Sequence, residues 1–259
     1  MKEIHPHFSS IAQRYKDLRT TDVEPILFVK KKLQDLNKIE AADVGCGVGR
    51  YALKLFHHLG ERLHLTCIDH NRRMLNELSK NFREHRIENF KTINASAVAL
   101  PLASNFLDAI ITFNAIHHFK CLDFLKETAR VLRGNGYSFI YTRLRSQNKG
   151  TIWGRFFPGF HEKEKRLYEL SELKEMVRKI PRLKIEFIEY FKYKRMATLE
   201  WLTTQATHHH YSTFYLYDEM EFEEALKKFQ GNIAHHFKDP RNIIWDDENI
   251  MLTVRKDIR

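Results

Sequence analysis

Cysteine is scarce in this chain of 259 residues, and Cys46, Cys67 and Cys121 are scattered along it. An odd, dispersed set without a CxxC pair argues against a disulfide framework or a zinc site and suits free thiols in a reducing compartment. No metal site is expected from them. Long apolar runs are lacking too: no stretch approaches the roughly 18 residues of a membrane span, and the opening MKEIHPHFSS has no apolar signal-peptide core. The expected setting is cytoplasmic, with no membrane partner. Composition announces neither a Pro/Gly/Ser-rich linker nor an internal repeat. Blocks of five or six like charges are also missing, so the net charge of +10 reads as a solvated basic surface and only weakly as a footprint for nucleic acid or acidic small molecules.

What is present is a globular balance of 43% apolar and 29% charged residues, and a length that suits one α/β domain with an elaboration. Residues 25–37, PILFVKKKLQDLN, have helical spacing behind a proline. Four apolar runs follow, IEAADVG, LHLTCID, LDAIITF and YSFIYTR. They are separated by the helical stretches RYALKLFHHL, RRMLNELSKNFREH and CLDFLKETARVLR. Strands alternating with helices mean right-handed βαβ units and a parallel sheet. After about residue 143 the rhythm changes. WGRFFPGF reads as an aromatic loop, SELKEMVRKI as a helix capped by Ser171 and closed before Pro181, and LKIEFIEYF and NIIWDDENIMLTVRK as the last strands. Residues 197–238 read as a mostly helical insertion between them.

Gly45, Gly47 and Gly49 crowd the turn after the first run. Bare backbone at a strand-to-helix turn admits a ligand without Cβ obstruction, and the next helix presents N–H groups to it. The dinucleotide fingerprint G-x-G-x-x-G wants a glycine where Arg50 stands, so the spacing argues against NAD. Asp69 ends the second run 69 − 49 = 20 residues past the last glycine, a separation suited to a ribose diol. Asn71 is placed to cap the following helix. Asp43 either braces the glycine turn's amides or contacts the ligand.

ADVGCGVGR, CIDHNRRML, ALPLASNFLDAIITFNAIHHF and ETARVLRGNGYSFIY, in that order, resemble the motifs of class I S-adenosylmethionine-dependent methyltransferases of the type 11-like kind, over about residues 39–143. The resemblance implies a Rossmann-like α/β fold with a seven-stranded, mostly parallel sheet, helices on both faces and a helical lid insertion between the last two strands. It implies a single domain over residues 1–259, with an N-terminal helical cover at 1–38, a cofactor-binding core at 39–143 and the substrate lid at 197–238. S-adenosylmethionine is the implied cofactor and S-adenosylhomocysteine the product. Gly45, Cys46 and Gly47 would pass beneath the methionine part, Asp69 would accept the ribose hydroxyls, and His70 and Met74 would pack near adenine. Met74 has the plain alternative of a core methionine. An acidic residue that often faces the adenine amine is replaced here by Ser96, beside Ala97. Asn114 and Ala115 would flank the methionine moiety. FSSIAQRYKDLR resembles the segment that folds over that end, with Tyr15 and Arg19 closing the pocket and Arg19 pairing with the carboxylate; a surface helix is the alternative.

Methyl transfer needs an in-line nucleophile and exclusion of water more than a dedicated base. For a hydroxyl acceptor, His117 is the favoured base, with His118 beside it. THHHYSTF does not make a metal site, because consecutive helical residues diverge by about a hundred degrees. Trp201, His209, Tyr211, Phe214 and Tyr215 would line the acceptor pocket or only pack the lid, and Trp153 and Phe156 are similar candidates. The first reading is methyl transfer to a small molecule by in-line displacement. DVGCGVGRY and AIHHF also resemble the wobble-uridine tRNA methyltransferases, so RNA, tRNA in particular, is the alternative acceptor. A non-catalytic cofactor-binding or partner-activating protein is the second alternative. The acceptor, the atom methylated and the oligomeric state are left open.

Overall fold

The computed structural model describes residues 19–258. Helix α1 (Glu24–Lys32) opens behind Val23, with Pro25 in its first turn. Strand β1 (Ile39–Val44), helix α2 (Arg50–Leu59), strand β2 (Leu63–Asp69), helix α3 (Arg72–Glu84), strand β3 (Phe90–Asn94), strand β4 (Leu107–Phe113), helix α4 (Cys121–Val131) and strand β5 (Leu132–Thr142) then alternate as the apolar periods require. All four runs are strands, and the three intervening stretches are helices or contain them. The helix from 25 is shorter than its apolar pattern, ending at Lys32. The last of the four strands starts five residues earlier than its apolar run, at Leu132.

The strands form one seven-stranded sheet in the order β3-β2-β1-β4-β5-β7-β6. Pairs β1–β2, β1–β4, β2–β3 and β4–β5 are parallel, and β5–β7 is antiparallel. This is the seven-stranded, mostly parallel sheet that the resemblance implied. Strand β3 has no apolar run because it is the sheet's edge: its residues FKTIN are exposed or half-buried throughout. A partly solvated edge strand has no need of a continuous Val/Ile/Leu sequence.

The order reverses at β1, which has β2 on one side and β4 on the other. That is the switch point at which open α/β sheets take ligands, beyond the carboxyl ends of the strands. Asp43, Asp69, Asn94 and Phe113 stand at those ends.

Two compact units partition the described residues: one of residues 20–142, 170–191 and 250–258, the other of residues 19, 143–169 and 192–249. The first is built on the β1, β2, β4 and β5 core with Tyr51 stacked on Phe113 at 4.2 Å. It also holds helix α8 (Leu170–Arg178). The helix begins one residue before Ser171, so Ser171 lies in its first turn and does not cap it.

The second unit packs α5 (Arg145–Gly150), α6 (Ile152–Phe156), α7 (Phe160–Lys163), α9 (Leu199–Thr207) and α10 (Glu219–His236) around rings. The expected aromatic loop at 153–160 is two short helices. Thr151 caps the first by accepting the Gly154 N–H at 3.0 Å, and Trp153, Phe157 and Phe160 are buried. Strands β6 (Leu183–Ala197) and β7 (Ile243–Lys256) supply segments to both units.

Candidate functional site

Three glycines in the turn after β1 have positive φ, but for different reasons. A Cβ on Gly45 would meet the Ala115 Cβ at 2.6 Å and the Phe119 ring at 2.9 Å, so bare backbone lets the turn close on the end of β4. A Cβ on Gly49 would meet Leu78 at 2.7 Å and Phe82 at 2.9 Å; this residue starts α2 and seats it against α3. A Cβ on Gly47 would meet nothing within 4 Å. Two glycines therefore serve packing, and Gly47 turns its bare face to open space.

The Asp69 carboxylate is fixed at that open face. Its Oδ2 accepts the Gly47 N–H at 2.8 Å and its Oδ1 accepts the Asn71 N–H at 2.8 Å. Each carboxylate oxygen has lone-pair capacity beyond one amide. The Asn71 side chain caps α3, accepting from the amides of Arg73 and Met74 at 3.0 and 3.2 Å. Asn94 donates to the carbonyls of Asp69 and His70 at 3.0 and 2.7 Å, which ties the ends of β2 and β3 together. His70 is exposed, whereas Met74 is only 2% exposed.

Asp43 is buried, and its Oδ1 has no hydrogen-bond partner among the described residues. Burial first, and the nearby Asp69 second, push its carboxyl up to about 8, so Asp43 is largely protonated at neutral pH. Burial and the neighbouring Cys67 thiol hold the Cys46 thiol well above its ordinary value.

The rest of the strand-end rim is polar. Ser96 is exposed, its hydroxyl accepting the Val98 N–H at 3.4 Å, with Ala97 half-buried next to it. Asn114, just past β4, has a φ of 54° and donates its N–H to the Tyr141 carbonyl at 2.7 Å. Asparagine tolerates that left-handed geometry better than most residues do. Ile116–His118 form a single 3-10 turn. The His117 and His118 rings lie 4.0 Å apart, with His118 exposed and His117 half-buried.

The remaining candidates belong to the second unit, except Tyr15, which lies outside the described residues. Arg19 donates from Nε to the His210 carbonyl at 2.9 Å, and its guanidinium sits 4.3 Å above the Tyr211 ring centroid. Trp153 is 3% exposed and stacks on Phe229 at 5.1 Å, the position of a core residue. Trp201 is 41% exposed on α9. His209 has a φ of 47° and packs 4.6 Å from Phe222, and burial lowers its basicity. The rings of His208 and His210 bond to the Thr204 and Gln205 carbonyls, so these neighbours face separate partners.

Sequence reasoning missed several polar contacts near these positions. The Tyr141 hydroxyl donates to buried Asp22 at 3.1 Å, and Arg50 holds Thr20 and Thr21 at 2.9 and 2.8 Å. Arg143 forms a buried pair with Asp247, 104 residues away. Such partners share no local spacing, so no periodicity announces them.

The geometry tests what the site would hold. An open glycine face with a carboxylate fixed beside it, at the switch point, fits a nucleoside-bearing ligand, and the donor set fits no dinucleotide fingerprint. The sheet order and this site together define the class I methyltransferase fold. Residues 41–136 match the family model described as a methyltransferase domain, and the fold is that of solved methyltransferases.

Among relatives, the chain is similar to the tRNA (carboxymethyluridine(34)-5-O)-methyltransferase ALKBH8 of Mus musculus, at 27% identity over 144 residues, 54% of this chain and 20% of that protein. It is also similar to the demethylmenaquinone methyltransferase of Staphylococcus aureus, at 28% identity over 141 residues, 52% of this chain and 58% of that one. The matches thus span less than two thirds of either relative. The fold is shared with the geranyl diphosphate C-methyltransferase of Streptomyces coelicolor A3(2), solved with S-adenosyl-L-homocysteine, at a TM-score of 0.56 and 13% identity over 89% of this chain and 74% of that one.

Proposed function

We propose that the protein is an enzyme that methylates a small-molecule acceptor. The observation that carries this reading is the open face of Gly47 with the Asp69 carboxylate held against its amide. When bound, S-adenosylmethionine supplies a methyl group activated by a sulfonium. Asp69, oriented by the Gly47 and Asn71 amides, accepts the ribose hydroxyls. Gly45, Cys46 and Gly47 bear the methionine part with Asn114 and Ala115; His70, Met74, Ser96 and Ala97 serve the adenine end. Protonated Asp43 adds no negative charge to the turn. His117 takes the acceptor's proton where the acceptor is a hydroxyl. Residues 197–238, with Trp201, His209 and Tyr211, select the acceptor, with Trp153 as their packed support.

Charge pairing supports a small acceptor over a polyanion. Lys184, Lys192 and Lys194 along β6 pair with Asp257, Glu248 and Asp246 at 2.8, 3.1 and 3.0 Å, which reduces the basic stripe that a phosphate backbone prefers. Transfer to tRNA is the second reading, favoured by the mouse relative.

Titration calorimetry with S-adenosylmethionine, S-adenosylhomocysteine and NAD tests the donor. Binding of the first two at micromolar concentrations and none of NAD is expected. Asp69→Ala should weaken S-adenosylhomocysteine by roughly ten- to a hundredfold, and unchanged affinity would remove the ribose assignment. Labelled-methyl transfer into separated small-metabolite and tRNA pools then decides the acceptor class.

A further inference from the structure

Helix α3 sorts its residues by charge as well as by polarity. At about 100° per residue, its buried Met74, Leu75, Leu78 and Phe82 share one arc and pack inward, Phe82 edge-on to Phe56 and Phe90 at 5.6 and 4.9 Å. Arg72, Arg83, Asn76 and Lys80, all exposed, fall within about 80° of one another on the solvent side. Glu77 and Glu84 lie beyond Lys80, outside that arc. From Arg72 to Arg83 the stripe therefore runs along about 16 Å of helix without a carboxylate. Arg86, just past the helix, and Lys91, on β3, are exposed too, with Glu88 between them. These charges stand three and four residues apart and never in a block, so only the helical period gathers them.

Among the described residues, Arg72, Lys80 and Arg83 have no carboxylate within 4 Å. Lys80 does not close even the i,i+4 pair that Glu84 offers. The β6 lysines differ, since Lys184, Lys192 and Lys194 each hold an acidic partner. Like charges drawn up in a row repel, and a phosphodiester chain laid along them relieves the repulsion while shedding its own counterions. Asn76 adds the neutral amide that accompanies Arg and Lys at phosphate oxygens. A membrane surface fits less well, because an interfacial helix needs an apolar face to bury among headgroups, and every apolar residue of α3 is buried in the protein. The stripe starts beside Asn71, whose N–H holds the Asp69 carboxylate, so a polyanion lying on α3 leads to the rim of the candidate site.

We infer that the stripe of Arg72, Lys80 and Arg83, extended by Arg86 and Lys91, is a docking surface for the phosphate backbone of a nucleic acid. Such docking goes beyond the methyl-transfer reading and does not depend on it: a nucleic acid held here is a partner whether or not it is the methyl acceptor.

The test is fluorescence anisotropy with the full chain and two labelled probes, unfractionated tRNA and a short DNA duplex, between about 50 and about 200 mM salt. Wild type is compared with Arg72→Gln/Lys80→Gln/Arg83→Gln and with a control that loses the same charge elsewhere, Lys30→Gln/Lys31→Gln/Lys227→Gln, whose lysines are also exposed. At least one probe should saturate on wild type, and the tighter one identifies the nucleic acid. The stripe variant should weaken it tenfold or more and reduce the slope of log affinity against log salt by about 2 to 3, the share of three phosphate contacts. The control should change affinity only severalfold less than that. Failure of both probes to saturate on wild type, or equal losses in the stripe variant and the control, overturns the surface. Stripe-dependent binding of phosphatidylglycerol vesicles that exceeds binding of either nucleic acid overturns it too, and makes the partner a membrane. S-adenosylhomocysteine affinity should stay within twofold in all three proteins. Its failure to bind wild type while the nucleic-acid series stands would remove the methyl-transfer reading and leave the surface in place.

Discussion

The two compact units solve the packing problem in different ways. In the unit of the glycine turn, strand register and close backbone contact do the work: Gly45 touches the end of β4, Gly49 seats α2 on α3, and Asp69 binds two amides. In the other unit, rings do it, with Trp153 against Phe157, Phe160, Phe214 and Phe229 at centroid distances of 5.1 to 6.3 Å. Backbone-built regions tolerate little change of conformation, whereas ring-built regions tolerate little loss of volume. That difference predicts where each unit breaks.

The largest effect is expected in the ring-built unit. Trp153→Ala removes a residue that is 3% exposed and touches five other rings. The cost should be roughly 3–5 kcal/mol, the range for truncating a buried aromatic side chain. Urea unfolding read by tryptophan fluorescence and far-ultraviolet dichroism checks it. A loss below about 1 kcal/mol would mean that the cluster is a loose pocket lining and not a core. S-adenosylhomocysteine titrated below the melting range sharpens the contrast, since a packing role for Trp153 predicts an affinity near that of wild type.

The glycine pair comes next and separates stability from binding within one turn. Gly45→Ala places a Cβ 2.6 Å from another at a φ of 74°, and roughly 2–3 kcal/mol of stability should go, from overlap together with left-handed strain. Gly47→Ala meets open space at a φ of 54°, so about 1 kcal/mol is expected from strain alone. Binding should reverse the order relative to stability: per unit of stability lost, Gly47→Ala should weaken S-adenosylhomocysteine more, because its new methyl stands in the ligand's path. Equal ratios in thermal melts and calorimetry would merge the two roles and undo the distinction between packing glycines and ledge glycine.

The same contrast explains what could be read in advance. Strands β1, β2, β4 and β5 are buried on both faces and carry continuous apolar runs, so their alternation with α2, α3 and α4 was legible. Asn71 as a cap was legible because the acceptor and the amides it serves lie within three residues. Strand β3 was not, because an exposed edge needs no apolar signature. The short helices at 152–163 were hidden for another reason. Thr151 starts the first of them, but the burial that keeps them helical comes from Phe214 and Phe229, more than fifty residues on. The ion pair of Arg143 with Asp247 is likewise a product of topology. Asp69 was picked out as a functional residue from its place at a strand end, yet its grip on the Gly47 amide is visible only once β1 and β2 lie side by side.

Asp43 gives an effect that appears only as the pH rises, and the one most specific to the backbone-built unit. Its carboxyl is buried with one oxygen unpartnered among the described residues, and it is pushed up to about 8 by burial and then by Asp69. An unfolded chain releases that proton near pH 4. Between those values the native state binds the extra proton, so the stability that Asp43 contributes is complete below about pH 4 and is lost as the pH rises toward and through 8. Asp43→Asn keeps the shape and removes the titration. The variant should therefore gain on wild type with rising pH, nearly matching it at pH 4 and exceeding it by several kcal/mol at pH 8.5. Urea midpoints for both proteins at pH 4.5, 6.5 and 8.5 measure the difference directly, and titrations common to both proteins cancel in it. Asp69→Asn should show the same trend more weakly, because the Asp69 charge is the lesser cause and its loss also disturbs two amide bonds. A difference between wild type and Asp43→Asn that stays constant with pH would mean that Asp43 is ionised in the native state, and its buried oxygen would then demand a cationic partner.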